Sequence, residues 1–237
     1  MPRPATLLIL ASLSLTALAA AEPPAPSPSQ APTMHHEMSP RAPEDRLQVA
    51  VLLSAHAILL DWAIPAEILR AAGHGQAFHV FTVSEDGEPV SAMLPPTVGV
   101  DFALGDAPRP DVVVVPGGNW QALAERPRVL DFLRRARREG AIVMSVCSGA
   151  YTLAAAGLLD GREATRVHSQ LDLLRRLAPR ATVRGDVPFV ESDGVVTTAG
   201  AATAIGATLW LVEELVGEAE ADFLASAYLD YEPPGRE

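Results

Sequence analysis

The chain has 237 residues, with 29 acidic side chains against 18 basic ones and a formal net charge of −11. A strongly negative chain without a basic stripe is a poor ligand for nucleic acid, so we expect no nucleic-acid partner. The chain contains no lysine, which excludes Schiff-base chemistry through lysine and a Walker A phosphate loop.

Residues 1–21 fit a secretory signal peptide. Arg3 precedes an apolar stretch that runs from residue 5 to about residue 18, and small residues follow it. The apolar stretch is short for a membrane span, so we expect export to the periplasm and no membrane span after signal cleavage. Residues 22–46 are rich in proline, alanine and serine and are predicted to form a disordered linker.

Residues 47–234 are predicted to form one domain in which strands and helices alternate. Strands are predicted at residues 48–53, 78–83, 111–115 and 141–146, and a hairpin at residues 189–198 around Asp193-Gly194. Helices are predicted at residues 62–72, 127–139, 151–156, 168–177, 199–215 and 219–228. Apolar strands that alternate with helices indicate an α/β fold, a parallel sheet covered on both faces.

Cys147 is the only cysteine, and it directly follows the predicted strand at residues 141–146. Because a helix is predicted soon after it, Cys147 is expected on a strand-to-helix turn, the geometry of a nucleophile elbow. The free N–H groups and the dipole at a helix start favour thiolate over thiol. The alternative is a buried structural cysteine, since free cysteine is among the most buried residue types.

Three further features are expected at the same edge of the sheet, where the carboxyl ends of parallel strands meet. Gly117 and Gly118 follow a buried strand, and one of their N–H groups could form an oxyanion hole with that of Ser148. Asp61 lies at the start of the first helix, where a plain N-cap is the simpler interpretation. His168 is either a catalytic group or a surface histidine at a helix start.

Several short segments along the domain form a specific combination. They are Leu60-Asp61-x-x-x-Pro65-x-Glu67, residues 111–118, Ser145-Val146-Cys147-Ser148-Gly149-Ala150, residues 155–162, Ala164-Thr165, His168, Thr197-Thr198-Ala199-Gly200 and residues 228–234. With these segments the chain resembles the DJ-1/PfpI superfamily, the class I glutamine-amidotransferase-like proteins, over residues 47–234. The resemblance implies a single-domain, flavodoxin-like parallel-sheet sandwich with a nucleophile elbow.

The most similar branch is that of the isonitrile hydratases and of the amidase-like domain in front of AraC-type DNA-binding regions. We expect no DNA-binding part here, because too little sequence follows residue 234 to hold a helix-turn-helix. The resemblance implies that Cys147 is the nucleophile, that Asp61 is the acidic residue beside it, and that Gly117-Gly118 is the glycine pair. Ser148 takes the position of a hydroxyl residue that is usually threonine in this branch.

The chain also departs from the pattern of this branch. The histidine of an Ala-Thr-x-His-Trp segment matches His168, which is reached through a variable stretch, Arg166-Val167, and is followed by Ser169 instead of tryptophan. Ile64 stands where the pattern has glycine. These departures bear on the shape of the pocket. The residue after the cysteine is not histidine, which disfavours the protease and deglycase activities of the PfpI branch.

Three functions are compatible with these residues. The first is an isonitrile hydratase-like enzyme, in which Cys147 attacks an isocyanide, Asp61 moves protons, and Ser148 and Gly118 steady the developing charge. The second is a protein that binds a ligand or senses oxidants through Cys147 without turnover. The third is a glyoxalase- or hydrolase-like activity on small carbonyl compounds, with His168 as base.

The sequence indicates a small-molecule substrate and gives no sign of a cofactor. Met34-His35-His36-Glu37-Met38 has metal-binding side chains, but no second ligand set stands at a suitable spacing, so no metal site is predicted. The family resemblance implies a homodimer.

Overall fold

The computed structural model of this protein describes residues 42–91 and 97–232. The predicted signal peptide and most of the predicted linker, residues 22–41, lie outside the described residues. The last part of that linker is structured, because Pro43–Asp45 forms a single 3-10 turn. Arg46 then donates a hydrogen bond of 3.0 Å to the carbonyl oxygen of Gly75 and joins this turn to the domain.

Strands and helices alternate along the domain. The strands are β1 (Leu47–Leu52), β2 (Phe78–Ser84), β3 (Val90–Ser91), β4 (Thr97–Val98), β5 (Phe102–Ala103), β6 (Val112–Val115), β7 (Ile142–Val146), β8 (Glu163–Thr165), β9 (Thr182–Arg184), β10 (Phe189–Ser192) and β11 (Val195–Thr198). The helices are α1 (Leu59–Gly75), α2 (Trp120–Ala124), α3 (Pro127–Arg138), α4 (Gly149–Ala155), α5 (Leu171–Leu177), α6 (Ala201–Leu215) and α7 (Glu218–Phe223).

Seven strands form the central sheet, in the order β10-β11-β7-β6-β1-β2-β5. All neighbouring strands in it run parallel except β10, which pairs with β11 in an antiparallel hairpin. The short strands pair separately, β3 with β4 and β8 with β9. The predicted mixed α/β fold with a mostly parallel sheet is therefore confirmed.

Both faces of the sheet are covered, as the apolar strands predict. Because successive strand residues point to opposite faces, Val49 and Val51 pack under α1, α6 and α7, whereas Ala50 and Leu52 pack under α2 to α5. The four valines of β6 are all fully buried. Within the described ranges, no helix is both long and apolar enough to cross a membrane.

The predicted strands and helices are present in the structure, and several of them differ from it at their ends. The first helix begins at Leu59, three residues before the predicted start, so Asp61 lies inside its first turn. A 3-10 turn at His168–Gln170 precedes α5 within the predicted helix at residues 168–177. The last predicted helix ends in a π-helical turn, Leu224–Tyr228.

The order of the strands decides where the functional side chains meet. Strands β1, β6 and β7 are neighbours in the centre of the sheet and run in the same direction. The loop that leads into α1, the turn after Val115 and the turn after Val146 therefore converge at one edge. In sheets of this kind ligands bind beyond that edge.

Candidate active site

Cys147 stands on the sharp turn between β7 and α4. Its backbone adopts a left-handed conformation, with φ of +54°, which is strained for any residue with a side chain. The turn is tight because α4 approaches the end of β6 closely: a Cβ at Gly149 would lie 2.1 Å from the carbonyl oxygen of Val115. The half-buried cysteine is thus presented at the sheet edge, in the predicted nucleophile elbow.

Asp61 reaches this edge from the first turn of α1, where it is 1% exposed. One of its carboxylate oxygens accepts a hydrogen bond of 3.0 Å from the backbone N–H of Gly117. Interpreting Asp61 as the N-cap of its own helix is therefore wrong. Its bond joins the first turn of α1 to a loop 56 residues away, and it places the carboxyl group beside Cys147.

Gly117 has to be a glycine for this contact to exist. A Cβ at this position would lie 2.5 Å from the Asp61 carboxylate and 2.7 Å from the hydroxyl oxygen of Ser148. Gly118 has a φ of +137°, and a Cβ there would lie 2.4 Å from the carbonyl oxygen of His56. The glycine pair thus leaves room for the functional side chains around it.

The N–H groups of the glycine pair already have acceptors in the protein. That of Gly117 donates to Asp61, and that of Gly118 donates to the hydroxyl oxygen of Ser148 at 2.9 Å. The predicted oxyanion role for a glycine N–H would require one of these bonds to break. The backbone N–H of Ser148 instead interacts with the sulfur of Cys147.

The thiol and the carboxyl group influence each other's protonation. Burial raises the pKa of the Cys147 thiol, and the negative charge of Asp61 raises this pKa further, against the opposing effects of Arg166 and the Ser148 N–H. Burial also raises the pKa of Asp61, although the Gly117 N–H opposes it. Burial thus favours the protonated form of both groups, and an ionised Asp61 makes Cys147 harder to ionise. The thiolate favoured by the helix dipole is not the resting form.

Arg166 is a functional residue that sequence reasoning missed. It lies between β8 and the 3-10 turn before α5, is 4% exposed, and places its Nη1 atom 3.7 Å from the sulfur of Cys147. Its positive charge lowers the pKa values of both Cys147 and Asp61. The feature that could have indicated Arg166 is its place directly after the buried pair Ala164-Thr165, where a charged residue is unusual.

The guanidinium of Arg166 is held by two neighbours. The ring of Tyr151 lies under it, with 4.4 Å between the guanidinium carbon and the ring centroid. The Nη2 atom donates a hydrogen bond of 2.6 Å to the side-chain oxygen of Gln170, which also accepts a bond from the Tyr151 hydroxyl. This packing fixes the direction in which the cation faces Cys147.

His168 is exposed, and its imidazole lies beside Gly185. Among the described residues, no hydrogen bond or ring contact joins it to Cys147. The side chain that contacts the sulfur from this part of the chain is Arg166, two residues earlier. A catalytic role for His168 thus stays a prediction without a contact behind it.

The described part of the chain contains no group of three or more histidine, cysteine, aspartate or glutamate side chains that could hold a metal ion. The chemistry available at the site is that of a sulfur nucleophile, a buried carboxyl group that exchanges a proton with it, and a fixed cation. This combination suits the addition of a thiol to a small electrophilic carbon.

A cysteine on a strained elbow of a parallel α/β sheet, with a buried acid beside it, defines a class of thiol-dependent α/β proteins. A model of the DJ-1/PfpI family matches residues 47–214, and the chain belongs to this family.

Curated relatives include an isonitrile hydratase of Pseudomonas putida, which is 36% identical over 192 residues covering 79% of each chain. The HTH-type transcriptional regulator CdhR of Pseudomonas aeruginosa is 32% identical to this chain. The matched residues cover 67% of this chain and 48% of the regulator. The crystal structure of Drosophila melanogaster DJ-1beta has a TM-score of 0.70 and 26% identity, over 79% of this chain and all of the other.

Removing the charge of Asp61 is expected to activate the thiol towards alkylation. In Asp61→Asn the carboxylate no longer raises the pKa of Cys147, so the rate of reaction with iodoacetamide should rise at neutral pH and its pH midpoint should move down. The measurement is the alkylation rate against pH, followed by intact mass. Asp131→Asn, which changes an exposed acid on α3, is the matched control. An unchanged or higher midpoint in Asp61→Asn would contradict the coupling.

Proposed function

We propose that this protein is a cysteine-dependent enzyme that hydrates isocyanides to N-substituted formamides. The observation that carries the proposal is the buried Asp61 carboxyl group held against the Cys147 thiol, since the reaction needs a nucleophile and a group that moves protons. The similarity to the Pseudomonas putida isonitrile hydratase supports it.

In the proposed reaction, the proton of the Cys147 thiol passes to Asp61 as the sulfur attacks the terminal carbon of the isocyanide. A bond forms between sulfur and carbon, and Asp61 returns the proton to that carbon, which gives a thioimidate. Asp61 then accepts a proton from water as the water oxygen adds to the same carbon, and it passes this proton to the nitrogen. The carbon–sulfur bond breaks as the carbon–oxygen double bond forms, the remaining hydroxyl proton passes through Asp61 to the sulfur, and the formamide leaves.

The raised pKa of Asp61 suits this cycle, because a carboxyl group must be protonated in one step and ionised in the next. The donors that face the reacting sulfur are the backbone N–H of Ser148 and the guanidinium of Arg166. They offset the negative charge that develops when the sulfur attacks. The hydroxyl of Ser148 keeps the Gly118 loop in place by accepting its N–H.

Turnover should depend on both acids of the pair. Wild-type protein is expected to convert an alkyl isocyanide to its formamide, Cys147→Ala to lose this activity, and Asp61→Asn to lose at least about a hundredfold in rate. The measurement is formamide appearance by chromatography, with Asp131→Asn as the control that keeps the wild-type rate. Equal rates for wild type and Cys147→Ala would dispose of the mechanism.

A second candidate is a binding or redox-sensing protein without turnover. The cation at 3.7 Å from the sulfur favours it, because a fixed guanidinium stabilises the anion formed when cysteine is oxidised to a sulfinate. Under this function, mild peroxide should add the mass of one or two oxygen atoms at Cys147, and Arg166→Gln should slow the change. No mass gain on Cys147 would exclude oxidant sensing.

We also propose that residues 1–21 are removed on export to the periplasm and that the mature chain forms a homodimer. The first proposal rests on the sequence pattern and the second on family resemblance. Exposed apolar side chains at the start of α1, Leu59 and Leu60, offer surface for a second copy. Native mass spectrometry of protein recovered from expressing cells should show a dimer of processed chains. A monomer, or a chain with its leader intact, would overturn the respective proposal.

A further inference from the structure

Arg166 has donors that the protein itself does not use. An arginine carries five N–H groups. Here Nη2 bonds Gln170, Nη1 has the Cys147 sulfur at 3.7 Å, and the buried Nε has no partner. None of the ion pairs among the described residues includes Arg166, although it is 4% exposed.

A buried cation without a bound carboxylate is costly unless something compensates it. Cys147 and Asp61 are the acidic groups nearest to this cation, but its direct contact with them is a long one, to sulfur. The planar guanidinium fits the two oxygens of a carboxylate better than it fits a sulfur atom. The guanidinium beside the sulfur, which has no carboxylate bound to it, thus points to an anionic group on the molecule that Cys147 attacks.

We propose that the Cys147 site takes small electrophiles that carry a carboxylate, with Arg166 as the anchor for that carboxylate. A carboxylate oxygen would lie about 2.8 Å from the guanidinium nitrogen, and the reacting carbon about 3–3.5 Å from the sulfur. Because Nη1 and the sulfur are themselves 3.7 Å apart, the carboxylate has to be attached at or next to the reacting carbon. Arg166 is therefore a specificity-determining residue.

This inference is separate from the hydration reaction and is tested without it. Applied to isocyanides, it favours those with a carboxylate next to the isocyanide-bearing carbon, and that extension rests on the proposed function. For isocyanides and for other electrophiles alike, the proposal requires an electrophilic carbon beside a carboxylate.

Iodoacetate and iodoacetamide test the proposal, because they present the same carbon and leaving group and differ in charge. In each reaction a sulfur–carbon bond forms, iodide leaves with the electron pair of the carbon–iodine bond, and the thiol proton passes to solvent. Both reagents need the same thiolate, so the ratio of their rates cancels any change in the pKa of Cys147. The ratio therefore isolates recognition of the carboxylate.

Arg166→Gln is expected to lower the iodoacetate-to-iodoacetamide rate ratio by at least about tenfold, the effect of a lost charge-assisted hydrogen bond. Arg166→Lys should keep part of the ratio. Arg175→Gln is the matched control, since it removes an exposed arginine on α5 and should leave the ratio unchanged. The rates are measured at constant ionic strength by intact mass. An equal fall in both rates, with the ratio unchanged, would overturn the proposal.

A measurement on the wild-type protein covers the case in which Arg166 variants fail to fold. Propionate should slow the alkylation of Cys147 by iodoacetamide in a saturable way, and propionamide at the same concentration should not. Equal protection by the two compounds, or none, would overturn the proposal. Neither result depends on whether the protein hydrates isocyanides, so the two proposals fail independently.

Discussion

The site depends on one buried carboxyl group and the single N–H that holds it. Burying the carboxyl group of Asp61 at 1% exposure costs free energy, and the hydrogen bond from Gly117 recovers part of this cost. The bond exists only because residue 117 has no side chain. The same burial raises the pKa of Asp61, which brings it closer to that of a thiol. The strain on the elbow and the burial of the acid thus belong to one functional arrangement.

The electrostatics of the site become consistent once Arg166 is included. Burial raises the pKa values of Cys147 and Asp61, whereas the positive charge of Arg166 lowers both. The cation therefore offsets part of the free-energy cost of any negative charge on the buried pair. A substrate that binds the guanidinium would weaken the contact between Arg166 and the Cys147 sulfur, and it would change the electrostatics of the site. Tyr151 keeps the cation in position while that happens.

The sequence was sufficient to predict most of the fold and the position of Cys147 on the elbow. The apolar runs ending at Leu52, Val115 and Val146 mark neighbouring parallel strands, and the position of Cys147 after one of them predicts the elbow. The start of α1 was less predictable, because its N-cap, Ile58, makes no side-chain capping bond. For that reason, the local pattern could not show that Asp61 bonds a loop 56 residues away.

Arg166 escaped prediction for a related reason. It is nineteen positions from Cys147 in the sequence, a helix and a short strand lie between them, and the contact forms only where β8 lies against the main sheet. There the N–H of Thr165 donates to the hydroxyl of Thr197 at 2.8 Å, which fixes the turn that follows. The local pattern of apolar residues does not show that β8 packs against the main sheet. A single charged residue in a buried stretch does indicate a contact of this kind.

The cysteine and the acid alone do not determine what the site does, because one fold supports many reactions. Both a hydratase and a non-catalytic sensor need a sulfur with a proton acceptor beside it. A third charge lies beside this pair, supplied by Arg166, whose neighbours Tyr151 and Gln170 orient it towards the sulfur. Under the two proposals, this fixed cation selects among electrophiles by their charge before any bond forms, and Cys147 and Asp61 carry out the chemistry.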